Sequence, residues 1–366
     1  MARRTSPPGG TRHTWIRRRP SRYVGAKQQH AQLKDVPFFT GVEVGFTRHL
    51  ARDPFGLGPL AGGVMTSGGA LATLHRLAVA RNKVIGSTRN GLAGRVARRV
   101  VFASEHDHTS IGEAAMFLGL GTGAVVGVPA DGHCRMRADA LRREVSASPD
   151  RGERPFAVVA AAGATDTAAV DPLGPLAEIA SEHKLWFHVD AIYGGAVRVS
   201  ARRRDILAGV ELAESAGFDP YKWWYLARTY SLALFRDLPR MIGASRVAAP
   251  CMSDSGPATN LGEISVEGWR PAEVLKLHPT LQHLGRFGLE ALIEHSFVLT
   301  RNFTAAWRRR PHIKLASDPD LNIVCLRLRP PVYPEAHLDA MQTALRKNPQ
   351  ESGLTLSLTI FRGGRW

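Results

Sequence analysis

Two residues in this chain have the types and the setting to do chemistry together. Asp190 ends a mostly apolar, β-prone run (residues 185–190), and Lys222 follows later, between Tyr221 and the pair Trp223–Trp224. In an open α/β sheet, ligands collect just past the carboxyl ends of strands, so an aspartate at such an end can face one. A lysine amine attacks an aldehyde only when unprotonated, a state favoured by burial or a cationic neighbour. Taken singly, each residue also has a plain reading: a strand-end carboxylate and a surface lysine.

Three further stretches carry polar or glycine-rich chemistry. Thr66-Ser67-Gly68-Gly69 opens a helical pattern marked by Leu71, Leu74, Leu77 and Ala78. The unpaired N–H groups and positive dipole end of such a helix suit a phosphate, and an unliganded helix cap is the alternative. The same stretch is not a hydrolase nucleophile elbow, because Met65 stands at its first glycine position. His106 and His108 lie between a strand and a helix, as solvent-facing loop residues or as a metal pair. Gly163-Ala164-Thr165 follows a buried-strand candidate. The run GLGTGAVVGV (119–128) leads from a helix into a strand, the wrong polarity for a dinucleotide loop, and no Walker A motif occurs.

These residues need elements to hold them. Apolar spacing predicts an opening helix at 38–53 and helices at 109–120 and 176–184. It predicts strands at 100–103, 156–162, 185–190 and 232–235. Alternation of strand-like and helix-like segments from 64 to 236 predicts a mostly parallel sheet with helices on both faces. Residues 240–260 show turn residues and little periodicity. A helix bearing Leu275, Leu281 and Leu284 continues towards Trp307 as a long connector. A strand at 321–328, a helix at 337–347 and a shortened last strand in LTLSLTIFRGGRW complete the reading, without internal repeats.

Composition narrows the class. The 366 residues, 44% hydrophobic and 22% charged, allow one large domain and a smaller one with ample core. No apolar run reaches bilayer length and no secretory signal opens the chain, so no membrane role is expected. Three scattered cysteines lack metal-type spacing and suit a reducing cytoplasm. The net charge of +16 points to nucleic acid less than it first suggests: residues 1–34 hold nine Lys/Arg and no acid, which reads as a basic, disordered leader.

HVDAIYGG followed by DPYKWW resembles the cofactor site of the pyridoxal-phosphate-dependent group II amino-acid decarboxylases, the group of aromatic-amino-acid, glutamate and diaminobutyrate decarboxylases. The resemblance runs from residue 38 to 366. It implies an aspartate-aminotransferase-like (fold type I) α/β architecture with a mostly parallel sheet and a smaller C-terminal α+β domain. The division expected is a leader at 1–37, a large cofactor-binding domain at 38–270, and a connecting helix with a small C-terminal domain, read as cut short, at 271–366. It implies that Asp190 pairs with the pyridine nitrogen, that Lys222 carries the cofactor aldehyde, and that His108 stacks on the ring, with no metal. Gly69 and Ala70 would hold the phosphate, with Thr165, Ser215 and Tyr221 as further cofactor contacts.

The reaction implied is decarboxylation of an L-amino acid to CO2 and an amine by a cytoplasmic homodimer. Departures from the pattern leave two alternatives: a cofactor-binding paralogue with little activity, and another pyridoxal-phosphate lyase on the same fold. Ala70 replaces a hydroxyl residue, Ala164 a threonine, Ile192 a small residue and Tyr221 a histidine. No tyrosine occurs between Tyr230 and Tyr333, where related enzymes carry a proton-donating one on a mobile loop. The residues that would select the amino acid are not readable.

Overall fold

The computed structural model describes residues 37–94, 97–247, 260–268, 270–347, 356–361 and 364–366. The expected basic leader falls outside the described residues except for Pro37, and so do residues 248–259 of the aperiodic stretch.

Helix α1 (Pro37–Arg52) buries Phe39, Val42, Phe46 and Leu50, the apolar stripe that its spacing predicts. It is followed by β1 (Gly62–Thr66), α2 (Gly69–Ile85), β2 (Arg98–Ser104), α3 (Ser110–Phe117) and β3 (Val125–Val128). Then come α4 (Ala138–Ala147), β4 (Glu153–Ala161), α5 (Leu173–Glu182), β5 (Trp186–Asp190), β6 (Ser215–Phe218), the short α6 (Pro220–Trp223) and β7 (Ser231–Phe235). The seven strands form one sheet in the order β1-β7-β6-β5-β4-β2-β3. Pairings β2–β3, β2–β4, β4–β5 and β5–β6 are parallel, while β7 runs antiparallel to both β1 and β6. The sheet is therefore mostly parallel, as its nearly continuous apolar strands require when both faces are covered.

Side chains of β5 show how the two faces divide. Phe187 and Val189 join the apolar core that contains Phe46 and Leu50 of α1, and Trp186 joins the one that contains Leu77 and Val79 of α2. Strand alternation then turns His188 and Asp190 towards α2 as well. A polar layer thus lies between α2 and the sheet.

After β7, α7 (Leu238–Ser245) corrects the expectation of an aperiodic stretch. The Asp237 carboxylate accepts the Arg240 N–H at 2.9 Å and Pro239 sits in the first turn, a start signal that hydrophobic spacing does not register. Helix α8 (Leu261–Ile264) is one turn, and α9 (Val274–Arg308) is the long connector, interrupted at Gly285, whose φ of 62° and ψ of −177° leave the helical region. The strand expected at 321–328 contracts to β9 (Leu326–Leu328), paired with β8 (Ile313–Leu315); α10 (Glu335–Lys347) and the pair β10 (Ile360–Phe361) and β11 (Gly364–Arg365) follow. No helix among the described residues is long and apolar enough to cross a membrane.

One buried ion pair ties the start of the fold to its later part. Glu43 of α1, fully buried, pairs with buried Arg270 ahead of α9 and accepts the Met65 N–H at 2.9 Å. It thereby fixes β1 immediately before the turn at 66–69.

Candidate functional site

Asp190 ends β5 with its Oδ1 accepting the Ile192 N–H at 3.2 Å. Its partner in register on β6 is Gly217. Two residues further on, Asp219 caps α6 and accepts the Lys222 N–H on its carbonyl at 3.1 Å, while the Lys222 Nζ lies 3.8 Å from Asp219 Oδ2. The Asp219 N–H donates to the Ile192 carbonyl at 3.1 Å, so the chain after β5 and the turn after β6 are bonded to each other. Asp190 and Lys222 are thus carried by neighbouring strands at the same end of the sheet.

The two tryptophans after Lys222 hold that turn in place. Trp223 is 1% exposed, stacks on Tyr193 at 5.3 Å and donates from Nε1 to the Ser296 hydroxyl of α9 at 2.9 Å. Trp224 donates to the Ala196 carbonyl at 3.2 Å. Both indoles are buried with their one donor satisfied, while the side chain of Lys222 just before them stays exposed.

The N-terminus of α2 meets the same cluster. Its first turn has no side-chain cap. A methyl group placed on Gly69 would stand 3.4 Å from both Asp219 Oδ2 and Ile192 Cδ1, while Gly68 faces open space. One turn residue already holds an anionic group: the Ser67 N–H donates to the Glu267 carboxylate at 2.9 Å. Uncapped N–H groups, a carboxylate at a strand end and an amine on the adjoining turn together fit a phosphorylated, cationic aldehyde. Ile192 and Asp219 are the groups that narrow the fit.

Asp219 is 1% exposed and shares Oδ1 with the Ser231 hydroxyl, but its Oδ2 has no hydrogen-bond partner. Burial raises its pKa above the usual carboxylate range, against the pull of Ser231 and Lys222. Tyr221, beside the lysine, has its hydroxyl towards the same carboxylate; burial and then Asp219 push its pKa up.

Other expected site residues sit further out. His108 lies on the exposed loop after β2, its Nδ1 accepting the Ser110 N–H at 3.0 Å. Its neighbour Asp107 borders the site: burial first, then Asp171 and Asp190, raise its pKa well above the carboxylate norm. Thr165 is exposed in the turn after β4. Ser215 is fully buried at the start of β6, where its hydroxyl bonds Trp186 Nε1 and His188 Nδ1, both at 2.9 Å. It ties together two β5 side chains of the layer under α2. Three groups escaped the sequence reading: Arg76 of α2, Asp107 and Asp219. Asp219 was visible as the acid of DPYKWW; Arg76 gave no signal that sets it apart from Arg81 and Lys83 of the same helix. A hollow of about 180 Å3 between α1 and α9 shares only Trp224 with the lysine turn and is a separate feature.

Residues 34–329 match the family model described as the pyridoxal-dependent decarboxylase conserved domain. The L-2,4-diaminobutyrate decarboxylase of Rhizobium meliloti is 35% identical over 308 residues, 83% of this chain and 60% of that protein. The aspartate 1-decarboxylase of Aliivibrio fischeri is 28% identical over 317 residues, 80% of this chain and 58% of that one. The chain therefore spans less than two thirds of the length of these curated relatives. The crystal structure of mouse CSAD superposes with a TM-score of 0.84 at 28% identity, covering 91% of this chain and 72% of that one. On the match along most of its length and on the shared fold, the chain belongs to the pyridoxal-dependent decarboxylase family.

Proposed function

We propose that this chain binds pyridoxal 5'-phosphate and decarboxylates an L-amino acid, releasing CO2 and an amine. The observation that carries the reading is Asp190 at the end of β5 and Lys222 in α6, just past the neighbouring β6, with the uncapped N-terminus of α2 next to Asp219 and Ile192. When bound, the protonated pyridine ring supplies an electron sink for the bond broken at the α carbon.

The chain's own residues do the rest. Backbone N–H groups of Gly69 and Ala70 receive the phosphate. Asp190 holds the proton on the ring nitrogen, and its Ile192 N–H bond keeps the carboxylate pointed. Lys222 would be the residue that holds the cofactor aldehyde. His108 would stack on the ring from its loop, and Thr165 and Tyr221 would be further contacts to the cofactor. Ser215 acts from below, by holding His188.

The division into a large domain at 38–270 and a connecting helix with a small domain at 271–366 is supported by a sheet drawn wholly from residues 62–235 and by the length of α9. A homodimer is supported by the exposed Met116 and Phe117 at the end of α3 and by the exposed Phe287, Leu299 and Phe303 on α9. The scattered spacing of the three cysteines in the sequence supports a cytoplasmic setting.

A second reading, a cofactor-binding paralogue with little turnover, is favoured by the Asp219 carboxylate and the Ile192 side chain at the α2 turn. Release of CO2, with the matching amine, across acidic, basic and aromatic L-amino acids separates the two. Turnover of one class supports the decarboxylase. Cofactor binding without any CO2 supports the paralogue, and absence of both ends the proposal.

A further inference from the structure

Arg76 is fully buried on the face of α2 turned to the sheet. Its Nη1 donates to the Leu232 carbonyl at 3.2 Å and its Nη2 to the Thr73 hydroxyl at 3.0 Å, while Nε has no partner. The guanidinium lies against Gly217. A methyl group there would stand 2.7 to 2.9 Å from its Nη2, Cζ and Nη1, closer than any real side-chain contact. Any side chain at 217 would force this guanidinium to move, and 217 is the position paired in register with Asp190.

The cation therefore lies against the β6 residue next to Asp190, and that residue stands two before Asp219. Burial lowers its pKa to about 10, and Asp190 followed by Asp219 act to raise it, so it stays charged at neutral pH. A cation stripped of water costs several kcal/mol unless opposite charges face it. Two carboxylates do so, and Asp219 Oδ2 has no hydrogen bond of its own. The other titratable groups around them are His188 and His75, both pushed towards the neutral form by burial and then by Arg76. Lys222 lies on the far side of Asp219, Tyr221 beside it, and Asp107 near Asp190.

We propose that Arg76 is a positioning residue of the cofactor site: a fixed counter-charge, admitted by Gly217, that lets Asp190 and Asp219 both stand at the end of the sheet where an anionic phosphate must dock. The inference rests on the cofactor reading above, but half of its test needs no cofactor. Without Arg76, buried Asp219 and half-buried Asp190 meet the incoming phosphate dianion with Lys222 left to balance Asp219. With it, the cluster is balanced before the cofactor arrives.

The test compares the wild type with Arg76→Met, Arg76→Lys and the double variant Arg76→Met/Asp219→Asn, each first as apoprotein. Arg76→Met is expected to lower the unfolding midpoint by several degrees, and Arg76→Lys by less. Removing the excess carboxylate in the double variant is expected to recover most of the loss. Titration with pyridoxal 5'-phosphate, followed by the absorbance of the lysine-bound cofactor, should show the same ranking: Arg76→Met weaker by about tenfold, the scale of one charge-assisted contact, and the double variant closer to wild type. Losses in the double variant equal to the sum of the single-variant losses would mean that Arg76 only fills space, and would overturn the proposal. So would wild-type affinity in Arg76→Met. If Arg76→Met does not fold, a folded double variant supports the charge pairing and an unfolded one overturns it. A wild type that binds no cofactor ends the cofactor reading alone, because apoprotein unfolding still judges the counter-charge.

Discussion

Asp190→Asn separates the role of Asp190 in the fold from its role towards the cofactor. Within the chain the carboxylate makes one hydrogen bond, from the Ile192 N–H, and an asparagine oxygen can keep it. The loss to folding is then confined to the interaction with Arg76, so apoprotein stability should stay within about 1 kcal/mol of wild type. Cofactor binding loses more. A hydrogen bond to a charged partner contributes about 1.5 to 3 kcal/mol, which corresponds to about ten- to a hundredfold in affinity. Turnover should fall further still, because a neutral amide no longer favours the protonated ring that draws electrons from the α carbon. Cofactor titration by absorbance, thermal unfolding of the apoprotein and CO2 release measure the three quantities. Wild-type affinity together with wild-type turnover in Asp190→Asn would refute the reasoning, since the ring nitrogen would then have its partner elsewhere.

Glu43→Ala should cost about 3 to 5 kcal/mol in urea unfolding, because it strands buried Arg270 and frees the Met65 N–H; a loss under about 1 kcal/mol would show the pair to be dispensable. His75 is 2% exposed, and burial followed by Arg76 depresses its pKa from 6.5 to about 4. The unfolded chain takes up this proton first, so the stability contributed is complete above pH 6.5 and is lost as the pH falls towards 4, by about 3 kcal/mol in all. His75→Leu should flatten that limb of a stability–pH profile, and an unchanged slope would assign it to other groups. Ile192→Ala should tighten cofactor binding several-fold by clearing Cδ1 from the Gly69 turn, as read by the same absorbance titration; weaker binding would make Ile192 a support of the ring.

Much of the sheet was legible because its strands are short apolar runs bounded by turn residues, and those runs became β2, β4, β5 and β7 within a few residues. Helix α7 was not, since its start is written in the Asp237 cap and Pro239 and not in hydrophobic spacing. The break at Gly285 was hidden because leucines continue the helical pattern on both sides of it. At the site, Asp190, Lys222 and the turn at 66–69 could be read from local motifs. Arg76 could not: it lies in sequence among Leu74, Leu77 and Val79 like any polar position of a helix, and its meaning appears only when Gly217 and Asp190 are folded against it. Glu43 and Arg270 are likewise ordinary in sequence and become a pair only through the tertiary fold.

The most direct test is to incubate the purified chain with pyridoxal 5'-phosphate, reduce it with borohydride and map the modified peptide by mass spectrometry. A single pyridoxyl-phosphate group on Lys222, lost in Lys222→Ala and weakened in Asp190→Asn, is the predicted result. Labelling spread over surface lysines, or retained in full in Lys222→Ala, would contradict it.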